Sequence, residues 1–145
     1  MPSFSKSSML HLITCHKDLQ TLFFEVIKTY DCTVTCGFRN KADQEKAFDA
    51  GTSQLHFPFG KHNRNPSYAV DVVPYPVDWN DLERFKEMSV VVKSTINNLK
   101  EGRKIASNIA WGGDWATFKD YPHWEIKEWT ITGNRSYRQL NGWKG

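Results

Sequence analysis

A chain of 145 residues, 39% hydrophobic and 24% charged, fits one globular domain able to bury a core without disulfides or a structural metal. A formal charge of +3 on scattered Lys and Arg excludes the concentrated basic stripe of a dedicated nucleic-acid binder. No stretch reaches transmembrane length, and "MPSFSKSSMLHLITCHKDLQ" lacks an uninterrupted apolar run of signal-peptide length, so synthesis in the cytoplasm without membrane insertion is expected.

From Met9 to Tyr30 the apolar positions Leu10, Leu12, Ile13, Leu19, Leu22, Phe23, Val26 and Ile27 follow helical spacing, predicting a helix or helix pair that ends at Asp31. "CTVTCGF" (32–38) is β-branched and predicts a strand. "NKADQEKAFDAG" (40–51) predicts a short helix closed by Gly51. A loop from Thr52 to Pro66 leads into "SYAVDVVPYP", a strand stopped by Pro74 and Pro76. The longest helix is predicted over 78–102, opened by Asp or Asn caps, with a Val-rich stretch packing on the sheet. "SNIAWGGDW" supplies a strand ending in a glycine turn, and "PHWEIKEW" (122–129) a last alternating strand before a polar tail. This order predicts an α+β fold with a small, mainly antiparallel sheet packed with helices.

The three cysteines, Cys15, Cys32 and Cys36, suit reduced thiols. Along a strand the backbones of Cys32 and Cys36 lie about 13 Å apart, too far for a disulfide or a shared metal, and both are expected in the core.

An aspartate inside the apolar run "YAVDVV" needs a partner, because burying an unpaired carboxylate is costly. Period-2 alternation puts Asp71 on one face with Ala69 and Val73, and puts His123 and Glu125 together on one face of the last strand. If the two strands are neighbours, Asp71 and His123 converge and His62 can fold over the same point. Two imidazoles and a carboxylate suit a Zn²⁺ shell with one position left for water. Blander readings stay open from spacing alone. His62 can be a solvated loop residue, Asp71 can pair with Arg39 or Arg64, and His123 can be a half-buried strand histidine. Asp120, three residues before His123 across "DYPH", can hold a carboxylate beside such a water or be an ordinary turn residue. Arg39, just after a predicted strand, can grip a substrate carboxylate or pair with Asp43 or Glu45. His11 and His16 are five apart, which on a helix turns them roughly 140° from each other. His56 is the one rival ligand. "WGGDW" (111–115) is a turn signal rather than a phosphate cradle.

"GFRNKADQEKAFDAGTS", "KHNRNPSYAVDVVPYPVDWND" and "WGGDWATFKDYPHWEI", in this order and spacing, resemble the zinc D-alanyl-D-alanine carboxypeptidases and phage L-alanyl-D-glutamate endopeptidases. The resemblance covers roughly residues 32 to 126. It implies a Hedgehog/DD-peptidase-like fold, with His62, Asp71 and His123 as zinc ligands and Asp120 as catalytic base. Arg39 resembles the arginine that anchors a substrate carboxylate, and Gln44 a common family position assigned here to substrate binding. Two departures stand out. Gly60 occupies the place of a family serine, and His62 and Asp71 are nine residues apart where seven is more usual.

The resemblance implies a monomeric endolysin of phage type, with a zinc peptidase domain over 1–130 and a C-terminal extension over 131–145. It would hydrolyse peptidoglycan stem peptides at the L-alanyl-D-glutamate bond and cause host lysis. It would accumulate in the host cytoplasm and reach the wall through a permeabilised membrane. The competing expectations are a D-alanyl-D-alanine carboxypeptidase with the same zinc chemistry, a Mg²⁺-dependent nuclease suggested by "KHNRNP", and a wall-binding module without catalysis.

Overall fold

The computed structural model describes residues 2–127. The helix pair expected at the N-terminus is α1 (Lys6–Leu12) and α2 (Lys17–Val26). The break between them comes from His16, whose Nδ1 accepts the Asp18 N–H at 3.0 Å and so caps α2. Cys32–Cys36 forms β1, and α3 (Lys41–Asp49) follows, capped by the Asn40 side chain and closed near Gly51, whose φ of 79° suits glycine. A single 3-10 turn at Lys61–Asn63 interrupts the long loop before β2 (Ala69–Pro74). The longest helix, α4 (Leu82–Glu101), starts later than expected because Asp81 is its cap. Then come β3 (Asn108–Trp111), a 3-10 turn at Gly112–Asp114, and β4 (His123–Lys127). The tail predicted beyond residue 130 lies outside the described residues.

Among the described residues the four strands form one antiparallel sheet in the order β1-β2-β4-β3, as the α+β expectation required. Leu19, Leu22, Phe23 and Val26 of α2 and Phe85, Met88, Val92, Ile96 and Leu99 of α4 join Val70, Val72 and Trp124 of the sheet in one core. Phe23 meets the Trp124 ring at 6.3 Å, and Trp111 stacks on Trp124 at 5.8 Å. The Val-rich stretch of α4 turns in only Val92, since Val90 lies about 200° around the helix from it, on the solvent side, and is exposed. No helix among the described residues is long and apolar enough to cross a membrane.

The sheet register positions the rest. Asp71 stands directly opposite His123 on β4, and on its other side opposite Cys36, where the β1 register shifts between Val34 and Cys36. Thr35 is therefore the extra residue of a β-bulge. Trp124 pairs with Trp111. Cys36, Asp71 and His123 thus form one row across the sheet, and Trp111 at the end of β3 stands in the next row with Trp124 and Val70.

Candidate active site

Three segments converge on Asp71. Its Oδ1 lies 3.2 Å from His62 Nε2 and 3.3 Å from His123 Nδ1, and its Oδ2 lies 3.6 Å from Arg39 Nη2. The imidazoles meet edge to face with centroids 5.1 Å apart. Asp120 Oδ2 is 3.9 Å from His123 Nδ1. The strand neighbours needed for Asp71 and His123 to converge are thus present, and His62 is brought in by the turn at Lys61–Asn63.

Each ring is held from behind. His62 Nδ1 lies 2.7 Å from the Gly37 carbonyl, so it carries the proton and Nε2 faces Asp71. His123 Nε2 lies 2.8 Å from Glu125 Oε1, which directs Nδ1 toward Asp71 and Asp120. Glu125 is wholly buried, and its other oxygen is 3.2 Å from the ammonium of Lys61, itself 1% exposed. That ammonium also donates to the Ile126 carbonyl. The Lys61–Glu125 pair therefore joins the segment carrying His62 to the strand carrying His123.

Burial by itself would lower both imidazoles, but Asp71 reverses this and holds His62 at about 10, while Asp71 and Glu125 hold His123 at about 9. Burial would likewise raise Asp71, yet the two imidazoles keep its carboxyl well below the usual range. Asp120 is pushed the other way. Burial raises it and the Asp71 carboxylate adds to the rise, with His123 opposing. Two carboxylates in one cleft are thus driven apart, one firmly ionised and one inclined to take a proton.

The donor set suits a divalent metal ion. His62 and Asp71 cluster with Cys36, and Asp71 and His123 cluster with Asp120, the ligand atoms of each cluster lying within 4.8 Å of one another. Asp71 is common to both. Back-side hydrogen bonds to a carbonyl and a carboxylate fix the free nitrogen of each imidazole, as metal-binding histidines require.

Arg39 reaches neither Asp43 nor Glu45. Its Nη1 donates to Gln44 Oε1 at 3.1 Å, and its backbone N–H donates to the His62 carbonyl at 2.8 Å. Gln44 is 1% exposed and its amide is occupied, accepting from Arg39 and Asn63 and donating to Ser53 Oγ and the Leu55 carbonyl. It therefore holds Arg39 from behind. Gly60 has a local reason: a Cβ there would meet Asn63 Oδ1 at 3.0 Å, the atom that accepts the Gly60 N–H. Arg64 lies over the Tyr68 ring at 5.1 Å, and His56 pairs with Glu45 and stacks on Phe48, away from the cluster. The turn in "WGGDW" supports Asp120, whose N–H donates to the Gly112 carbonyl at 3.1 Å. A Cβ on Gly112 would fall 2.3 Å from the Asp120 carbonyl oxygen, so only glycine permits this approach.

Cys36 departs from the expected core position. It is half-buried, with Sγ 3.7 Å from His62 Nδ1, because the bulge at Thr35 sets it opposite Asp71. Burial pushes its thiol up, and His62 more than cancels that. The sequence reading missed Cys36 and Lys61. Glu125 did carry a signal, since period-2 alternation set it on the face of His123.

A cleft of about 710 Å³ opens over this cluster. Arg39, Gln44 and the loop around Ser53 line it, together with Trp79, Trp115, Phe118 and Tyr121. Two imidazoles and two carboxylates at the floor of such a cleft are groups suited to a hydrolase. The chain belongs to the phage L-alanyl-D-glutamate peptidase family, whose model matches residues 2–136. It is also similar in structure to the L-Ala D-Glu endopeptidase ChiX of Serratia marcescens, with 26% identity, a TM-score of 0.69, and coverage of 86% of this chain and 90% of that one. Membership in a peptidase family leaves the nuclease and binding-module expectations without support.

Proposed function

We propose that this peptidoglycan peptidase works as a zinc enzyme, with His62, Asp71 and His123 holding the metal and Asp120 as its general base. The observation that carries this reading is the opposition of Asp71 and His123 across β2 and β4, with His62 Nε2 turned to the same carboxylate oxygen. A zinc ion held by these three residues would supply Lewis acidity to the scissile carbonyl and to the attacking water.

The chain's own groups do the rest. Arg39, braced by Gln44, receives a carboxylate of the stem peptide and fixes the register of the L-alanyl-D-glutamate bond. Asp120, half-exposed at the cleft floor and raised in proton affinity, takes the proton from the attacking water and passes it to the departing amine of D-glutamate. His62 and His123 keep their ligand nitrogens aimed inward through Gly37 and Glu125. In the cell the enzyme acts as a monomer, is made in the host cytoplasm and lyses the host from the wall.

Digestion of purified peptidoglycan, read by mass spectrometry with and without a chelator, tests this. Stem peptides with a new amino terminus on D-glutamate are expected, abolished by chelation and restored by zinc. Release of terminal D-alanine, or digestion indifferent to the chelator, would overturn it.

A further inference from the structure

The two sides of the cleft differ in chemistry. Arg39 lies beyond the β1 end of the row formed by Cys36, Asp71 and His123, and Trp115 and Phe118 follow β3 at the other edge of the sheet. The second side is aromatic and close to the cluster, with the Trp115 ring 5.2 Å from that of His123. Trp79 extends it, anchored at 6.4 Å on the core residue Phe85, which in turn lies 6.3 Å from Tyr121. Among the described residues, Lys119 lines this wall and its ammonium donates to the carbonyls of Gly113 and Trp115.

Two of these rings are exposed at a cost. Trp79 is 52% and Phe118 60% exposed. Phe118 also has a φ of 51°, a left-handed backbone that is unfavourable for a bulky residue, and its exposed ring recovers little of that by burial. Both line the cleft that holds Asp71 and His123.

We propose that Trp79 and Phe118, with Trp115, form a sugar subsite that receives the muramyl residue bearing the stem peptide. The inference rests on the peptidase reading above. The scissile bond divides the substrate into unlike halves. On the D-glutamate side lie carboxylates, which match Arg39. On the other side a single L-alanine, about 3.6 Å long when extended, separates the bond from the lactyl group of a neutral sugar ring. With D-glutamate toward Arg39, the sugar is carried onto the opposite wall. That wall offers aromatic faces, whose negative quadrupole attracts the C–H face of a sugar, and among the described residues its lysine, Lys119, is already bonded to carbonyls.

The test compares kcat/KM on two substrates, N-lactoyl-L-alanyl-γ-D-glutamyl-diaminopimelate and the same peptide on N-acetylmuramic acid. The zinc-loaded enzyme should prefer the muramyl peptide by at least about tenfold, and Trp79→Ala or Phe118→Leu should each lower that ratio by about tenfold. Trp79→Phe, which keeps a ring, should retain most of it. Cleavage of both substrates at equal kcat/KM, or a ratio unmoved by the variants, overturns the sugar subsite while leaving the peptidase reading intact. Cleavage of neither substrate, with peptidoglycan also untouched, overturns the peptidase reading itself.

Discussion

Replacing Glu125 by glutamine keeps the shape of a wholly buried side chain and removes its charge. Lys61, 1% exposed, then loses the carboxylate at 3.2 Å and keeps the Ile126 carbonyl as an acceptor. Breaking a buried ion pair from one side costs about 3–5 kcal/mol, and the retained carbonyl bond puts this case near ~3 kcal/mol. Lys61→Met should cost a similar amount. The double variant carries neither charge, so its loss should fall short of the sum of the two by at least about 1 kcal/mol. The same glutamine weakens the hold on His123 Nε2, so metal affinity should drop about 10- to 100-fold. Urea unfolding of the chelator-treated protein measures the first effect, and competition with a chromophoric chelator the second. Strictly additive losses, or wild-type metal affinity in Glu125→Gln, would refute the view that this pair assembles the site.

Asp120→Asn should retain metal while kcat falls by at least about 10²-fold, whereas His62→Ala and His123→Ala should lose metal. Equal metal loss in all three would make Asp120 a ligand. Gly112→Ala drives a methyl into the Asp120 carbonyl, so activity should fall more than metal affinity; a fully active variant would contradict that placement. Asp18, buried at the start of α2, accepts from the Ser107 hydroxyl at 2.6 Å and from the Ser107 and Ala106 N–H groups at 3.0 and 3.2 Å. Burial would raise its carboxyl, but these bonds outweigh it and hold the group below its ordinary value. With the folded value below the unfolded one, the contribution is complete above about pH 4 and is lost as pH falls through the folded value. Asp18→Asn should therefore cost about 1–3 kcal/mol at pH 7, and urea melts should show the gap to wild type closing in acid. A gap that widens on acidification would contradict this.

Strand and helix order was legible because the periods are clean. "YAVDVV" and "HWEIK" alternate, and α4 repeats its buried positions at helical spacing. What escaped has common causes. The bulge at Thr35 leaves no mark in "CTVTC", so simple alternation hides that Cys36 lies opposite Asp71. Lys61 reads as a surface lysine because its burial depends on Glu125, more than sixty residues away. Gln44 was recognised by position, but only the fold reveals that its amide is spent on Arg39, Asn63, Ser53 and Leu55. The helix break at His16 was missed in detail because histidine is an uncommon cap, although its Nδ1 accepts as an oxygen would.

The direct pairing of Asp71 with His123 ties assembly of the cluster to strand alignment. A slip of one residue between β2 and β4 would turn one of them to the other face of the sheet and dismantle the cluster. Length changes are thus confined to the segments between the strands. The stretch from His62 to Asp71 is held at both ends, with the Tyr68 N–H on the Lys61 carbonyl and Ser67 bonded to Thr14 and His16. Because the ends are held, the nine-residue spacing from His62 to Asp71 is accommodated without disturbing the pairing. For a protein engineer, that loop is where a wall-targeting peptide could be inserted, and β2 and β4 are where no residue can be added.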